Sequence, residues 1–155
     1  MKALLSLVTL AALGILLAGC LGRGVPGGYT KGDLQRQPEA QLAYPGATPL
    51  AQGSREPEWT VEGQQYATAH AHYGTSATAA EVEDFYGREL AARGWRLAPE
   101  KSGRATNETR AVTWRKGDLL FRLGIMRKND VQVPRAYDAY TTAFEVALIV
   151  SPPGK

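Results

Sequence analysis

The stretch Thr78–Trp95, TAAEVEDFYGRELAARGW, predicts the main helix of the fold. Thr78 and Glu81 have the spacing of a capping box, in which two side chains satisfy free amide groups where a helix begins. Apolar residues then recur at helical spacing, and Gly94 is a stop signal that places Trp95 back on the last turn. We therefore expect one amphipathic helix that buries a single face. The apolar positions of that face are Val82, Phe85, Tyr86 and Leu90.

Around this helix, apolar and polar residues alternate with the period of two that is typical of strands. The alternation is clearest in the last third of the chain, where the turn Lys116-Gly117-Asp118 separates two such runs. The order β-β-α-β-β-β-β predicts an α+β fold, an antiparallel sheet of about four to six strands with one main helix packed on one face. The expected strands are 65–73, 109–115, 119–126 and 141–150, with shorter ones at 48–52 and 95–97.

The beginning of the chain carries a different pattern. Lys2 precedes an uncharged run from Ala3 to Ala18, which as a helix would rise about 24 Å and fall short of the roughly 30 Å hydrocarbon core. This length favours a secretory signal peptide over a permanent membrane span. The run ends in Leu17-Ala18-Gly19-Cys20, which resembles the lipobox of bacterial lipoprotein precursors. Cys20 is the only cysteine of the 155 residues.

The resemblance implies that Cys20 receives a diacylglyceryl group, that the chain is cut after Gly19, and that acyl chains such as palmitate then hold it on the extracytoplasmic side of a bacterial membrane. Two or three acyl chains give stable attachment, whereas one is marginal. Leu21 follows the cysteine where Asp would retain the protein at the inner membrane, so the pattern implies the outer membrane, facing the periplasm, if the host has two membranes. An uncleaved membrane helix, and a small buried cysteine behind a leader, are the alternatives.

These patterns divide the chain into a signal peptide (residues 1–19), a lipidated cysteine with a flexible Gly/Pro-rich tether (residues 20–42), and a single α+β domain (residues 43–155). The domain's Tyr44-Pro45-Gly46-Ala47 opening, with Phe85-Tyr86 and Gly94-Trp95, resembles small α+β modules of exported bacterial lipoproteins. This second resemblance implies a fold, and it implies no activity because one fold hosts many functions.

His70-Ala71-His72 is the candidate metal motif, because residues i and i+2 of a strand point to the same face. A zinc site needs three or four ligands, however, and the sequence supplies no third one at a matching position. We therefore interpret His70 and His72 as polar residues on the solvent-facing side of a strand, and we predict no metal and no cofactor.

Basic residues are concentrated between Lys101 and Arg135. Next to a membrane, such a surface would favour contact with anionic headgroups or an acidic envelope polymer. The alternative is a set of solvated strand faces, with Arg122 paired across strands with Glu145. The formal charge of +3 is too small to indicate nucleic acid. The candidate contacts are Arg115, Lys116, Arg127 and Lys128.

The sequence contains no Gly-x-Ser-x-Gly elbow, P-loop or His-Glu-x-x-His motif. We therefore predict a membrane-anchored extracytoplasmic lipoprotein with a non-catalytic binding or envelope-assembly role. Its expected partners are the membrane, through the lipid on Cys20, and an envelope protein or anionic polymer. The alternative is a metal-dependent or hydrolytic envelope enzyme that uses His70 and His72.

Overall fold

The computed structural model describes residues 28–61, 63–99, 107–130 and 133–151. The predicted leader, the lipobox and Cys20 lie outside these residues. Within the described part of the chain, no helix combines the length and the apolar character needed to cross a membrane.

An antiparallel sheet with one long helix forms the centre of the molecule. The strands are β1 (Thr48–Arg55), β2 (Glu58–Thr60), β3 (Gly63–Gln65), β4 (Thr68–Thr75), β5 (Arg96–Leu97), β6 (Glu108–Lys116), β7 (Leu119–Met126) and β8 (Thr142–Val150). The α-helices are α1 (Lys31–Gln35) and α2 (Ala79–Ala92), and 3-10 helices span Pro38–Gln41 and Arg135–Ala139.

Six strands form the main sheet in the order β1-β4-β8-β7-β6-β5, and each neighbouring pair is antiparallel. Strands β2 and β3 pair separately as a hairpin between β1 and β4. This arrangement confirms the predicted α+β fold. The hairpin was not predicted because three-residue strands are too short for an alternating pattern to be recognised.

Helix α2 begins and ends where the sequence predicts. Thr78 is the N-cap, and its hydroxyl oxygen accepts from the Glu81 amide at 3.3 Å. After the last turn, Gly94 adopts a φ of +81°, a left-handed conformation that favours glycine. The Trp95 amide then donates to the Leu90 carbonyl at 3.0 Å, and the Trp95 side chain is buried. The capping box and the glycine stop are therefore confirmed.

The main core lies between α2 and one face of the sheet. Tyr86 reaches from the helix to Phe121 on β7 and Phe144 on β8, with ring centroids 5.5 and 6.0 Å away. Burial raises the pKa of the Tyr86 phenol, whose hydroxyl donates to the Leu42 carbonyl at 3.2 Å. A smaller cluster lies on the opposite face of the sheet. Its buried members are Met126, Val133, Tyr137 and Ala143.

The structure differs from the sequence expectation over residues 28–42, which were assigned to a flexible tether. Here α1 begins with its own capping box, formed by Thr30 and Asp33, and Leu34 is fully buried in the main core. Glu39 is 3% exposed and accepts a hydrogen bond from Trp95 Nε1 at 2.9 Å. The folded domain therefore includes the segment from Gly28 onward, which a single buried aliphatic side chain in a five-residue helix did not reveal in the sequence.

Candidate functional site

The domain has a groove at the side of the sheet on which the N-terminal segment packs. It encloses a cavity of about 380 Å³ between the segment Gln35–Gln41 and the helix-covered face of the sheet. Its walls come from elements far apart in the chain, because α1 packs against β4, the strand next to the edge strand β1. The polar walls are Gln35, Gln41, Gln52 and Ser54, and the apolar floor is Ala69, Ala71, Phe121, Val146 and Leu148.

The polar side chains of the groove are mostly neutral. Gln35 Nε2 donates to Ser54 Oγ at 3.3 Å, and Gln41 Nε2 donates to the Gln35 carbonyl at 3.2 Å. The side chains of Gln35, Gln41 and Gln52 belong to exposed residues. Because a carboxamide carries both donors and an acceptor, these residues can bind hydroxyl and amide groups without a net charge.

Glu39 is the acidic residue among the lining residues, and its charge is held at the inner end of the groove. The carboxylate accepts from Trp95 Nε1 and lies 3.7 Å from Lys116 Nζ. Lys116 also lies 6.0 Å from the centre of the Trp95 ring, within cation–π range. The contacts of Glu39 with Trp95 and Lys116 hold the N-terminal segment against the core, and the Lys116 ammonium partly neutralises the Glu39 carboxylate. The groove therefore offers hydrogen-bonding groups above an apolar floor.

No pattern in the sequence indicates this groove. The three glutamines are separated along the chain and match no motif, and Gln35 and Gln41 fell in the segment assigned to the tether. They come together because α1 packs against β4, which pairs with β1, the strand that carries Gln52.

His70 and His72 lie on the other face of the sheet, and their ring centroids are 5.8 Å apart. They share that face as predicted, since His70 is opposite Ala147 and His72 is opposite Glu145. The His70 ring lies over Gly53, where a Cβ atom would approach Nε2 to 2.6 Å. His72 is therefore outside the groove, whereas His70 is among the residues that line it, with its ring turned toward the edge strand β1.

His72 is less exposed to solvent than the strand pattern predicts. Its ring centroid is 5.8 Å from that of Tyr137, in the 3-10 helix Arg135–Ala139. Burial lowers the pKa of His72, while the nearby Glu145 carboxylate acts in the opposite direction and His70 lowers it further. Among the described residues, no group of three or more His, Cys, Asp or Glu side chains is arranged to hold a metal ion.

Arg122 does not form the predicted cross-strand pair with Glu145. Instead, its guanidinium donates to both carboxylate oxygens of Glu108, with an Nη1–Oε1 distance of 2.7 Å. The Glu108 side chain lies against Gly124, where a Cβ atom would approach Oε1 to 1.9 Å. The absence of a side chain at position 124 therefore lets Glu108 reach Arg122, which corrects the expected pairing.

The four candidate anion contacts do not form one patch. Arg115 and Lys116 lie at the end of β6 beside the turn to β7, whereas Arg127 and Lys128 follow the other end of β7. The eight residues of β7 separate the two pairs by roughly 27 Å at about 3.4 Å per residue. Arg127 Nη1 is also 3.9 Å from Asp130. The structure thus divides this candidate surface between two ends of the sheet.

Comparison with known proteins gives one similarity. Residues 59–134 match a family model described as START domain-like. The match covers most of β2, all of β3–β7 and α2, and it leaves out the N-terminal segment, β1 and β8, which complete the groove. No curated protein and no solved structure matches the chain. Over its central part, therefore, the chain is similar to START domain-like proteins.

Proposed function

We propose that this chain is a lipid-anchored extracytoplasmic lipoprotein whose domain binds a small neutral ligand in the groove without catalysing a reaction. The observation that carries the binding role is the cavity of about 380 Å³ under the segment Gln35–Gln41. Ligand sites in proteins are commonly concave, with volumes of about 300–1,000 Å³ and a few polar groups above apolar walls. The lipobox resemblance at Leu17–Cys20 supports the lipid anchor.

The composition of the groove favours a ligand rich in hydroxyl and amide groups. Gln35, Gln41 and Gln52 offer donors and acceptors, and Ser54 adds a hydroxyl. The floor of Ala71, Val146 and other apolar residues suits the C–H face of a sugar ring. A glycan segment of the cell envelope therefore fits this site better than an anionic ligand does.

The similarity of residues 59–134 to a START domain-like family supports a binding role, because that fold type binds ligands. The alternative enzyme would use both His70 and His72, and of these two only His70 is among the residues that line the groove. Its site would therefore extend beyond the lining of the groove.

The binding role is tested by titrating the mature chain with a trimer of N-acetylglucosamine in a calorimeter. We expect saturable binding, and we expect Ser54→Trp to weaken it at least tenfold because the indole would fill the cavity. Ser76→Trp is the matched control, since Ser76 is exposed in the loop before α2 and does not line the groove. Equal affinities for wild type and Ser54→Trp, or no saturable binding, would contradict the proposed ligand site.

A further inference from the structure

One end of the sheet carries an unusual row of side chains. Six cross-strand partners form this row, one from each strand of the main sheet, and three of them are arginines. We call it the arginine row. Its members are Arg55, Thr68, Ile149, Leu120, Arg115 and Arg96.

The arginine row contains a like-charge pair. Arg96 on β5 is directly opposite Arg115 on β6, and like charges in that position destabilise a sheet. No ion pair involves Arg55, Arg96 or Arg115 within the described ranges. An anion that bound between Arg96 and Arg115 would relieve the repulsion, so the row is suited to an anionic partner.

Exposed apolar side chains lie at the same end. Trp59 is 67% exposed and Val61 is fully exposed, and both belong to the hairpin that connects Arg55 to Thr68. Leu97, which is 68% exposed, directly follows Arg96. These three are the exposed large hydrophobic residues of the described chain. Tryptophan beside arginine is typical of side chains that lie at the boundary between lipid and water.

Acidic residues offset the formal charge of the arginines at this end of the sheet. Glu56 is 3.7 Å from Lys31 Nζ and so is already paired. Glu58 and Asp118 are exposed and have no ion pair in the described part of the chain. The sequence also places Glu62 between β2 and β3, so three acidic residues match the three arginines in number and the apolar hairpin must supply much of any attraction to a bilayer.

The tether reaches the domain at this end. The amide of Lys31 donates to Glu56 at 3.1 Å, directly after the last residue of β1. Residues 21–27 separate Cys20 from the described chain, and seven residues span at most about 25 Å when extended. A lipid on Cys20 would thus keep the arginine row close to the membrane surface, at high local concentration.

We propose that the arginine row and the hairpin tip at Trp59 and Val61 dock on the bilayer that holds Cys20, with anionic lipid headgroups between Arg96 and Arg115. This inference rests on the lipid anchor of the proposed function. It does not depend on the groove, which lies on the helix-covered face of the sheet.

The test uses the full lipidated chain in vesicles whose acyl chains carry bromine, a short-range quencher of tryptophan fluorescence. Trp95 and Trp114 are 3% and 6% exposed, so we expect most of the quenching to come from Trp59 and to disappear in Trp59→Phe. Val61→Asp should at least halve the quenching, whereas Ala136→Asp, an exposed residue far from the hairpin in the chain, should leave it unchanged.

The headgroup contribution is tested with Arg96→Gln/Arg115→Gln in vesicles of phosphatidylglycerol and of phosphatidylcholine. We expect this variant to reduce quenching at least twofold in the anionic vesicles and not in the zwitterionic ones. Equal quenching of wild type and this variant in both vesicles overturns the proposed headgroup site. Flotation of the chain with vesicles in a density gradient measures membrane attachment separately. If the chain floats but the fluorescence of Val61→Asp is quenched as strongly as that of wild type, the proposed docking is wrong and the lipid anchor is supported. If the chain does not float, both the anchor and the docking are wrong.

Discussion

Single residues on the helix-free face of the sheet acquire their properties from strands distant in the chain. The His70–His72 spacing correctly predicted a shared face of the sheet. The ring of Tyr137 nevertheless partly covers His72, although Tyr137 lies more than sixty residues further along the chain. The same face brings Glu108 to Arg122 over Gly124. Side-chain direction is therefore predictable from local periodicity, whereas burial and ion pairing depend on the neighbouring strands.

His72 should make the stability of the domain depend on pH. Because burial holds the folded-state pKa of His72 below its ordinary value of 6.5, the unfolded chain binds a proton more readily than the folded one does. The contribution of neutral His72 to the free energy of unfolding is present above pH 6.5 and is lost as the pH falls through the folded-state pKa. Urea unfolding at pH 7.5 and 5.5 should show a larger loss for wild type than for His72→Gln.

A second variant tests whether burial beside Tyr137 causes this pH dependence of the stability. Tyr137→Ala removes the ring beside His72, so it should also reduce the difference in stability between pH 7.5 and 5.5. The groups that face His72 are Glu145 and His70, and both remain in this variant. If wild type, His72→Gln and Tyr137→Ala lose stability equally over this pH range, the proposed role of His72 is wrong.

Elements of the fold were predictable when they were long. The pattern of Leu119–Met126 gave the bounds of β7 as observed, and α2 was recognised from its caps and apolar face. Helix α1 was missed because it has five residues and a single buried side chain, Leu34. An isolated helix of this length is unstable in water, so α1 forms because the core holds it.

Leu34→Ala tests whether residues 28–42 belong to the folded domain. Leu34 is fully buried in the main core, so its truncation should lower the free energy of unfolding by about 2–5 kcal/mol. Arg36→Ala is the control in the same segment, because Arg36 is exposed and its pair with Asp33 should contribute only about 0–1 kcal/mol. Urea denaturation measures both. If Leu34→Ala is as stable as Arg36→Ala, residues 28–42 do not contribute to the folded domain and belong to the tether.

The whole molecule combines a predicted lipid anchor with a domain whose two special surfaces face different directions. The groove lies on the helix-covered face, and the arginine row lies at the end where the chain arrives from Cys20. Since the folded domain already includes Gly28, the tether between Cys20 and the domain is shorter than the glycine-rich sequence alone suggested. A short tether favours one orientation of the domain relative to the membrane.

The anchor itself is tested by feeding cells a fatty-acid analogue that can be labelled. We expect wild type to carry the label and Cys20→Ala to lack it, because the thiol of Cys20 is the acceptor that the lipobox resemblance implies. Ser6→Ala, a change within the leader that leaves the cysteine, is the control and should remain labelled. Equal labelling of wild type and Cys20→Ala would contradict lipid attachment at this residue.

Local patterns were enough to predict α2, the longer strands and the antiparallel α+β arrangement, because caps and hydrophobic periodicity act over a few neighbouring residues. The groove, the Glu108–Arg122 pair and the arginine row were decided only by tertiary structure. Each of them joins side chains from segments that the sheet topology brings together, such as Arg55 and Arg96 at opposite edges of one row. Sequence spacing does not record which strands become neighbours, and that choice depends on burying the whole core at once.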